Sequence, residues 1–244
     1  MSAATRPGGH GWWPYLLPYV GFLLTVEVAN RMPTSAAGVM LFVKPAVPLI
    51  LLAWFFARGA YPELRSSRLD LRRTPLDVLF GVALALLWMA PYVLIAAIRP
   101  EVEHPFDPAL LGVERESLVL GVRLFGYALV TPVFEELFIR SFVMRYADVY
   151  AERGDFRLVP LAHYSGVSFV TTVIVFTIGH VPWEWWVAVP WVAATNLWFY
   201  WRRDILALIV VHGVTNATIL LIAIFGGGRW MDASGAPLSL WFFV

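Results

Sequence analysis

Apolar residues run through this chain in long blocks separated by short polar connections, and the blocks have the length of membrane helices. The first span is read at about Trp13–Ala29, where Pro14, Pro18 and Gly21 suggest an irregular start. The second covers about Ala37–Phe56, with Lys44, Pro45 and Pro48 inside it and a kink expected. The third is Pro75–Ile98, and Pro75 suits a first helical position. The fourth is long, Ser117–Tyr150. The fifth is Gly166–Val181, the sixth Val187–Tyr200 and the seventh Ile205–Phe225. Gly226-Gly-Gly228 ends the seventh. Leu238–Val244 is too short for a clear eighth span but apolar enough to touch lipid. The pattern predicts an all-α, polytopic transmembrane helical bundle of about seven to eight spans, in one domain over residues 1–244 with its polar motifs in 117–225.

The connections fix an orientation. Arg58 to Arg73, Arg140 to Arg157 and Arg202-Arg203 fall on one side under a seven-span count. The acidic Arg99–Glu116 loop, with Glu101, Glu103, Asp107, Glu114 and Glu116, falls on the other. The positive-inside rule then places the N-terminus in the cytoplasm. Arg6 followed by the apolar run Trp12–Val28 resembles a signal peptide, but Glu27 and the lack of a small-x-small site favour an uncleaved first span.

Composition agrees. Of the 244 residues 59% are hydrophobic and 14% charged, against about 25% charged in soluble domains. The net charge of +1 and the lack of a basic block give no sign of a nucleic-acid partner. There is no cysteine, which removes disulfides, thiolate metal sites and a cysteine nucleophile.

Against this apolar background three charges stand out in the fourth span: Glu135, Glu136 and Arg140. Each costs roughly 2.5–3.5 kcal/mol at the centre of a membrane helix, so the three would cost on the order of 7–10 kcal/mol unpaired. Glu136 and Arg140 are i,i+4 neighbours and can pair. Glu135 points about 100° away and is left for another task. A solvated helix end with a structural ion pair is the plainer alternative.

The fifth span ends in Phe176-Thr-Ile-Gly-His180, and the seventh contains His212-Gly-Val-Thr-Asn216. His212 and Asn216 share a helix face. From the cytoplasmic ends of their spans, Glu135 lies about 17 Å in, His180 about 22 Å and His212 about 12 Å, so tilt can bring all three together. A carboxylate can deprotonate water there, and imidazoles and an amide can orient it or donate to an oxyanion. His10, His104 and His163 lie in loops or at a span edge and read as unremarkable. Asn30 and Asn196 read as interhelical glue, and Thr215 and Thr218 as partners of backbone carbonyls.

Three motifs therefore stand in order on three spans: Glu135-Glu136-x-x-x-Arg140, Phe176-x-x-x-His180 and His212-x-x-x-Asn216. Together they resemble the CAAX prenyl endopeptidase and bacteriocin-processing family of glutamic-type intramembrane proteases, over about Ser117 to Phe225. Tyr61-Pro-Glu-Leu-Arg65, the run Arg140-Ser-Phe-Val-Met-Arg145 and the aromatic tail also look like its bacterial branch of CAAX prenyl protease-related proteins, associated with exosortase sorting systems. The resemblance implies a bacterial cytoplasmic-membrane endopeptidase acting on a peptide or membrane protein within the lipid bilayer. It implies Glu135 as the base that activates water and His180 as the group that positions it. His212 and Asn216 would stabilise the oxyanion, Glu136 and Arg140 would order the site, and Phe176 would pack the cavity wall. No cofactor is implied.

Alternatives remain open on residue type. There is no His-Glu-x-x-His helix and no Gly-x-Ser-x-Gly elbow, since Ser165, before Gly166, lacks the flanking glycine and sits at a span edge. A pair of intramembrane aspartates is also missing, because Asp148 and Asp204 lie near polar loops. Glu135, His180 and His212 make a catalytic zinc set by ligand type. A non-catalytic scaffold or immunity protein and a proton-coupled transporter also carry such residues, although no paired halves are visible.

Overall fold

The computed structural model describes residues 11–102, 105–226, 228–232 and 235–244. Arg6, His10, Glu103, His104 and Gly227 lie outside the described residues. The helices are α1 (Trp13–Arg31), α2 (Ala37–Ala57), the short α3 (Pro62–Ser66), α4 (Thr74–Leu94), α5 (residues 116–149), α6 (Gly166–Ile178), α7 (Trp185–Arg202) and α8 (Ile205–Phe225). No strand occurs among the described residues; one bridge pairs Met231 with Pro237. The fold is an all-α bundle.

Four segments are long and apolar enough to cross a membrane: Thr34–Ala57, Thr74–Leu94, Val113–Val149 and Ile205–Phe225. Gly166–Ile178 is apolar but shorter. Their outer faces keep large apolar side chains exposed, such as Ile50, Leu79, Leu129 and Ile174, as expected where lipid rather than water is the neighbour.

Several helix ends differ from the sequence reading for local reasons. Proline does not break α1, which runs on through Pro18. Pro18 has no N–H, and the carbonyl of Pro14 accepts the Tyr61 hydroxyl at 2.5 Å instead. Likewise α2 continues through Pro45 and Pro48. Helix α4 stops at Leu94, three residues past Pro91, and Ala96–Ile98 forms a separate 3-10 turn. Helix α6 stops at Ile178, ahead of Gly179, so His180 sits just beyond it. Ser165 caps α6, accepting from the Ser168 N–H, and bonds Asp148. Asp204 caps α8, accepting from the Leu206 N–H at 2.9 Å.

Helix α5 is the axis of the bundle and packs on α1, α2, α6 and α8. Every residue from Glu136 to Arg145 is buried, so this stretch has protein on all sides. The helix changes winding twice: Phe125–Val130 and Leu137–Val143 are π-helical, with the α-helical turn Thr131–Glu136 between them. Such insertions recur at functional sites because they turn side chains and backbone groups out of the regular ladder. Helices α4 and α8 make the most extensive pairing. Their approach depends on Gly81, where a Cβ would stand 2.6 Å from the Val211 carbonyl oxygen.

Buried ion pairs tie the bundle where the apolar pattern is silent. Arg202 at the end of α7 grips Asp77 of α4 through Nε at 2.9 Å and Nη2 at 2.8 Å, and Trp198 Nε1 adds a bond at 2.9 Å. Arg145 of α5 lies 3.7 Å from Glu63 of α3. Asn196 joins α7 to α6 through Thr172 at 2.8 Å, and Thr215 donates to the carbonyls of Gly81 and Val211. Asn30, read as interhelical glue, is instead exposed near the end of α1, and His163 is exposed in a turn.

The segment after α8 buries part of its apolar side chains in the protein. It turns back on itself, with the Leu238 N–H on the Trp230 carbonyl at 2.8 Å, and ends in a 3-10 turn at Trp241–Phe243. Leu238, Leu240 and Phe243 are buried. Phe243 packs against Tyr92 and Trp183, with ring centroids 5.7 and 6.5 Å away. These aromatic partners lie inside the protein, which is why the apolar tail folds inward.

Candidate active site

The site is built where α5, α6, α7 and α8 meet. On α5, Glu136 is fully buried, and its neighbour Glu135 turns toward a cavity of about 440 Å³. Glu136 accepts from Arg140 Nη1 at 3.2 Å on Oε1, with Oε2 at 3.1 Å from the same nitrogen. The i,i+4 pairing read from the sequence is thus present, with both side chains fully enclosed.

Arg140 is held from several sides. Its Nη2 donates to Thr195 Oγ1 of α7 at 2.6 Å. Its guanidinium lies 5.6 Å from the Phe176 ring centroid and 5.8 Å from that of Trp191. Those two rings stack at 4.9 Å. Phe176 therefore does more than line a wall: with Trp191 it makes the aromatic bed under the cation.

His212 of α8 completes the arrangement. Its Nδ1 lies 2.8 Å from Glu136 Oε1, and its Nε2 lies 3.7 Å from Glu135 Oε2. Since a carboxylate only accepts, Nδ1 carries the proton in the bond to Glu136. The ring meets Trp191 edge-on at 4.8 Å. Gly213 permits this approach, because a Cβ there would stand 2.6 Å from the Ala128 carbonyl oxygen in the first π-helical stretch of α5.

One turn along α8, Asn216 donates from Nδ2 to the Tyr127 carbonyl at 2.8 Å. Tyr127 lies in the same π-helical stretch. One amide N–H of Asn216 is engaged in that bond and the other is left for the cavity. His180, beyond the end of α6, bonds through Nδ1 to the Phe176 carbonyl at 2.8 Å. A carbonyl accepts, so Nδ1 carries hydrogen and Nε2 is the other face of the ring.

Glu135, Phe176, His180, His212 and Asn216 all line the 440 Å³ cavity. Glu136 and Arg140 do not; they lie behind it, in the packed interior. Around the cavity the structure adds residues that the sequence reading did not single out: Thr195 and Trp191 under Arg140, Tyr127 on Asn216, Trp88 beside His180 with ring centroids 5.5 Å apart, and Glu184. Glu184 sits in the turn Pro182–Glu184 between α6 and α7. Burial pushes its carboxyl up to about 7. Its signal in the sequence was only a lone acid among tryptophans. Among the described residues, no group of three His, Asp or Glu is placed to hold a metal ion.

Residues 117–218 match the family model described as Rce1-like, type II CAAX prenyl endopeptidase Rce1-like. This segment belongs to the CAAX protease family. The matched stretch runs from the start of α5 to just past Asn216, so all three motifs of the CAAX protease segment lie inside it. The family is one of proteases, and the apolar helices around the matched segment are those of an integral membrane protein. No curated protein and no solved structure matches the chain.

Proposed function

We propose that this protein is an intramembrane endopeptidase in which Glu135 activates water without a metal ion. The observation that carries the reading is the division of labour between adjacent carboxylates. Glu136 is consumed by Arg140 and His212, whereas Glu135 opens onto the cavity with His212 Nε2 3.7 Å from it.

In this reading a water in the cavity gives a proton to Glu135, and the resulting hydroxide adds to the substrate carbonyl carbon. His180 accepts from that water through Nε2 and holds it in line. Negative charge then develops on the carbonyl oxygen. The free N–H of Asn216 donates to it, and so does His212, acting as an imidazolium with Nδ1–H on Glu136 and Nε2–H on the oxyanion. As the C–N bond breaks, Glu135 returns its proton to the leaving amine, which leaves a carboxylic acid and an amine as products. Arg140 holds Glu136 in place, and through it fixes the rotamer of His212.

The test compares membrane-protein and secreted-peptide termini in cells carrying wild type or Glu135→Gln. A precursor that accumulates uncut in the variant supports the reading and names the substrate. Identical termini at equal protein levels, across growth conditions, would turn the reading toward a scaffold that keeps the fold.

A further inference from the structure

The cavity that holds Glu135, His212 and Asn216 is not closed by the family-matched segment alone. Phe242, Phe243 and Val244, from the segment after α8, line it as well. They lie outside residues 117–218, so this part of the wall comes from elsewhere than the stretch that carries the three motifs.

Three elements hold this wall in place. The Tyr127 hydroxyl of α5 donates to the Phe243 carbonyl at 3.4 Å. The carbonyl of the same Tyr127 accepts from Asn216, so the wall and the amide share a support. The Phe243 ring meets Tyr92 of α4 edge-on. Phe242 lies against Phe243 and Trp183, with ring centroids 4.2 and 6.1 Å away. Trp183 belongs to the turn after His180, and its carbonyl accepts the Tyr92 hydroxyl. Leu238 and Leu240, just ahead of the rings, are buried and anchor the segment. Rings fixed in this way cannot yield to a bulky neighbour by a small shift, because overpacking a close-packed region forces side chains off their rotamers. The cavity, at about 440 Å³, is near the lower end of the roughly 300–1,000 Å³ of ligand pockets. In so small a space one ring of the wall decides which side chains fit.

We propose that Phe242, Phe243 and Val244 are specificity-determining residues, which limit the size of the apolar side chain that a substrate peptide can seat in the cavity beside Glu135. The proposal rests on the peptidase reading above and adds the class of residue accepted. A small apolar side chain fits against the wall as it stands. A large aromatic one meets the rings of Phe242 and Phe243 and is turned away. The three residues carry no polar side chain, so the wall changes what enters and leaves the chemistry to Glu135, His180, His212 and Asn216.

The test uses full-length protein in nanodiscs and quenched fluorescent peptides in which each position in turn is Ala, Val, Leu, Phe or Trp. Hydrolysis is read with wild type, Phe242→Ala and Val244→Ala, two positions that are only half-buried. Met231→Ala, at an exposed position of the same segment, is the control. Wild type is expected to favour the small residue over Trp at one position by about tenfold or more in kcat/KM. In Phe242→Ala that ratio falls toward one because the bulky peptide is cut faster, while the small one is cut as before. Val244→Ala moves it the same way and Met231→Ala leaves it unchanged. A second readout needs no hydrolysis. The chain has no cysteine, so Asn216→Cys places a single thiol on the cavity. Its alkylation by N-ethylmaleimide and by N-pyrenylmaleimide is timed with and without Phe242→Ala, against Met231→Cys as the exposed reference. The pyrene reagent is expected to lag by about tenfold or more, and Phe242→Ala to remove most of that lag. That result, with no peptide cut by wild type, would uphold the wall while removing the peptidase reading. A size ratio unchanged by Phe242→Ala and Val244→Ala in hydrolysis, or in labelling where no peptide is cut, overturns the proposal. An equal fall for small and bulky peptides also overturns it and makes the segment a strut of the fold.

Discussion

His212 donates from Nδ1 to Glu136 at 2.8 Å, across the packed interface between α8 and α5. That bond fixes the imidazole by one nitrogen and leaves the other directed toward Glu135, 3.7 Å away. Glu136 is thus the anchor of the site, and Glu135 is the member with freedom to react. The consequences can be measured.

Glu135→Gln is expected to lower cleavage by about 100- to 10,000-fold, the range for loss of a general base. Among the described residues Glu135 makes no ion pair to an arginine or lysine, so expression and thermal stability in detergent should stay close to wild type. Preserved cleavage would remove Glu135 as the base.

Arg140→Ala acts on folding first. It strands Glu136 in a fully buried position and leaves Thr195 without its partner. Breaking a buried pair in this way costs about 3–5 kcal/mol, so the midpoint of thermal unfolding should fall sharply along with activity. Thr195→Ala removes one bond to the guanidinium and should cost about 1–3 kcal/mol. A well-expressed, fully active Arg140→Ala protein would contradict the arrangement.

Asn216→Leu should lower kcat by about 100- to 1,000-fold, the usual loss for one oxyanion donor. It also leaves the Tyr127 carbonyl unpaired in the π-helical stretch. Asn216→Asp keeps the shape but replaces a donor by an acceptor facing that carbonyl, and it should be no better. Activity near wild type in both would exclude a donor role.

Gly213→Leu tests the approach of α8 to α5. The nearest atom to an added Cβ is the Ala128 carbonyl oxygen at 2.6 Å, which is backbone and has little room to move. Activity should fall although no chemical group of the site is altered. Gly166→Ala, where a Cβ meets nothing within 4 Å, is the control and should behave as wild type.

Glu184 gives a pH dependence with a definite sign. Burial, which outweighs hydrogen bonds from the Val181 backbone and Trp88, raises its carboxyl from 4.5 to about 7 in the folded protein. Between those values the folded state holds a proton that the unfolded state has lost, so stability falls as pH rises through that window. Unfolding midpoints measured from pH 4.5 to about 7 should decline in wild type and decline less in Glu184→Gln. Parallel curves for the two proteins would place Glu184 in contact with water.

The linear pattern determined more here than it does for most folds, because lipid leaves the backbone few choices. A long apolar block becomes a helix, and Ile205–Phe225 was read with the ends that the structure gives it. The pairing of Glu136 with Arg140 was legible for a related reason: four residues on a helix are neighbours whatever surrounds them. The polar residues that broke the apolar pattern, Glu135, His180, His212 and Asn216, also stood out without any structure.

Only the tertiary structure decided how those residues divide their contacts. That His212 serves Glu136 by one nitrogen and faces Glu135 with the other depends on Gly213 bringing α8 against a π-helical turn of α5, and neither feature has a period to read. Thr195 beneath Arg140 and Asp77 beside Arg202 join positions far apart in the chain. The inward fold of Leu238–Val244 was hidden for the opposite reason. Lipid and a protein interior are equally apolar, so hydropathy cannot tell a tail that faces one from a tail that faces the other.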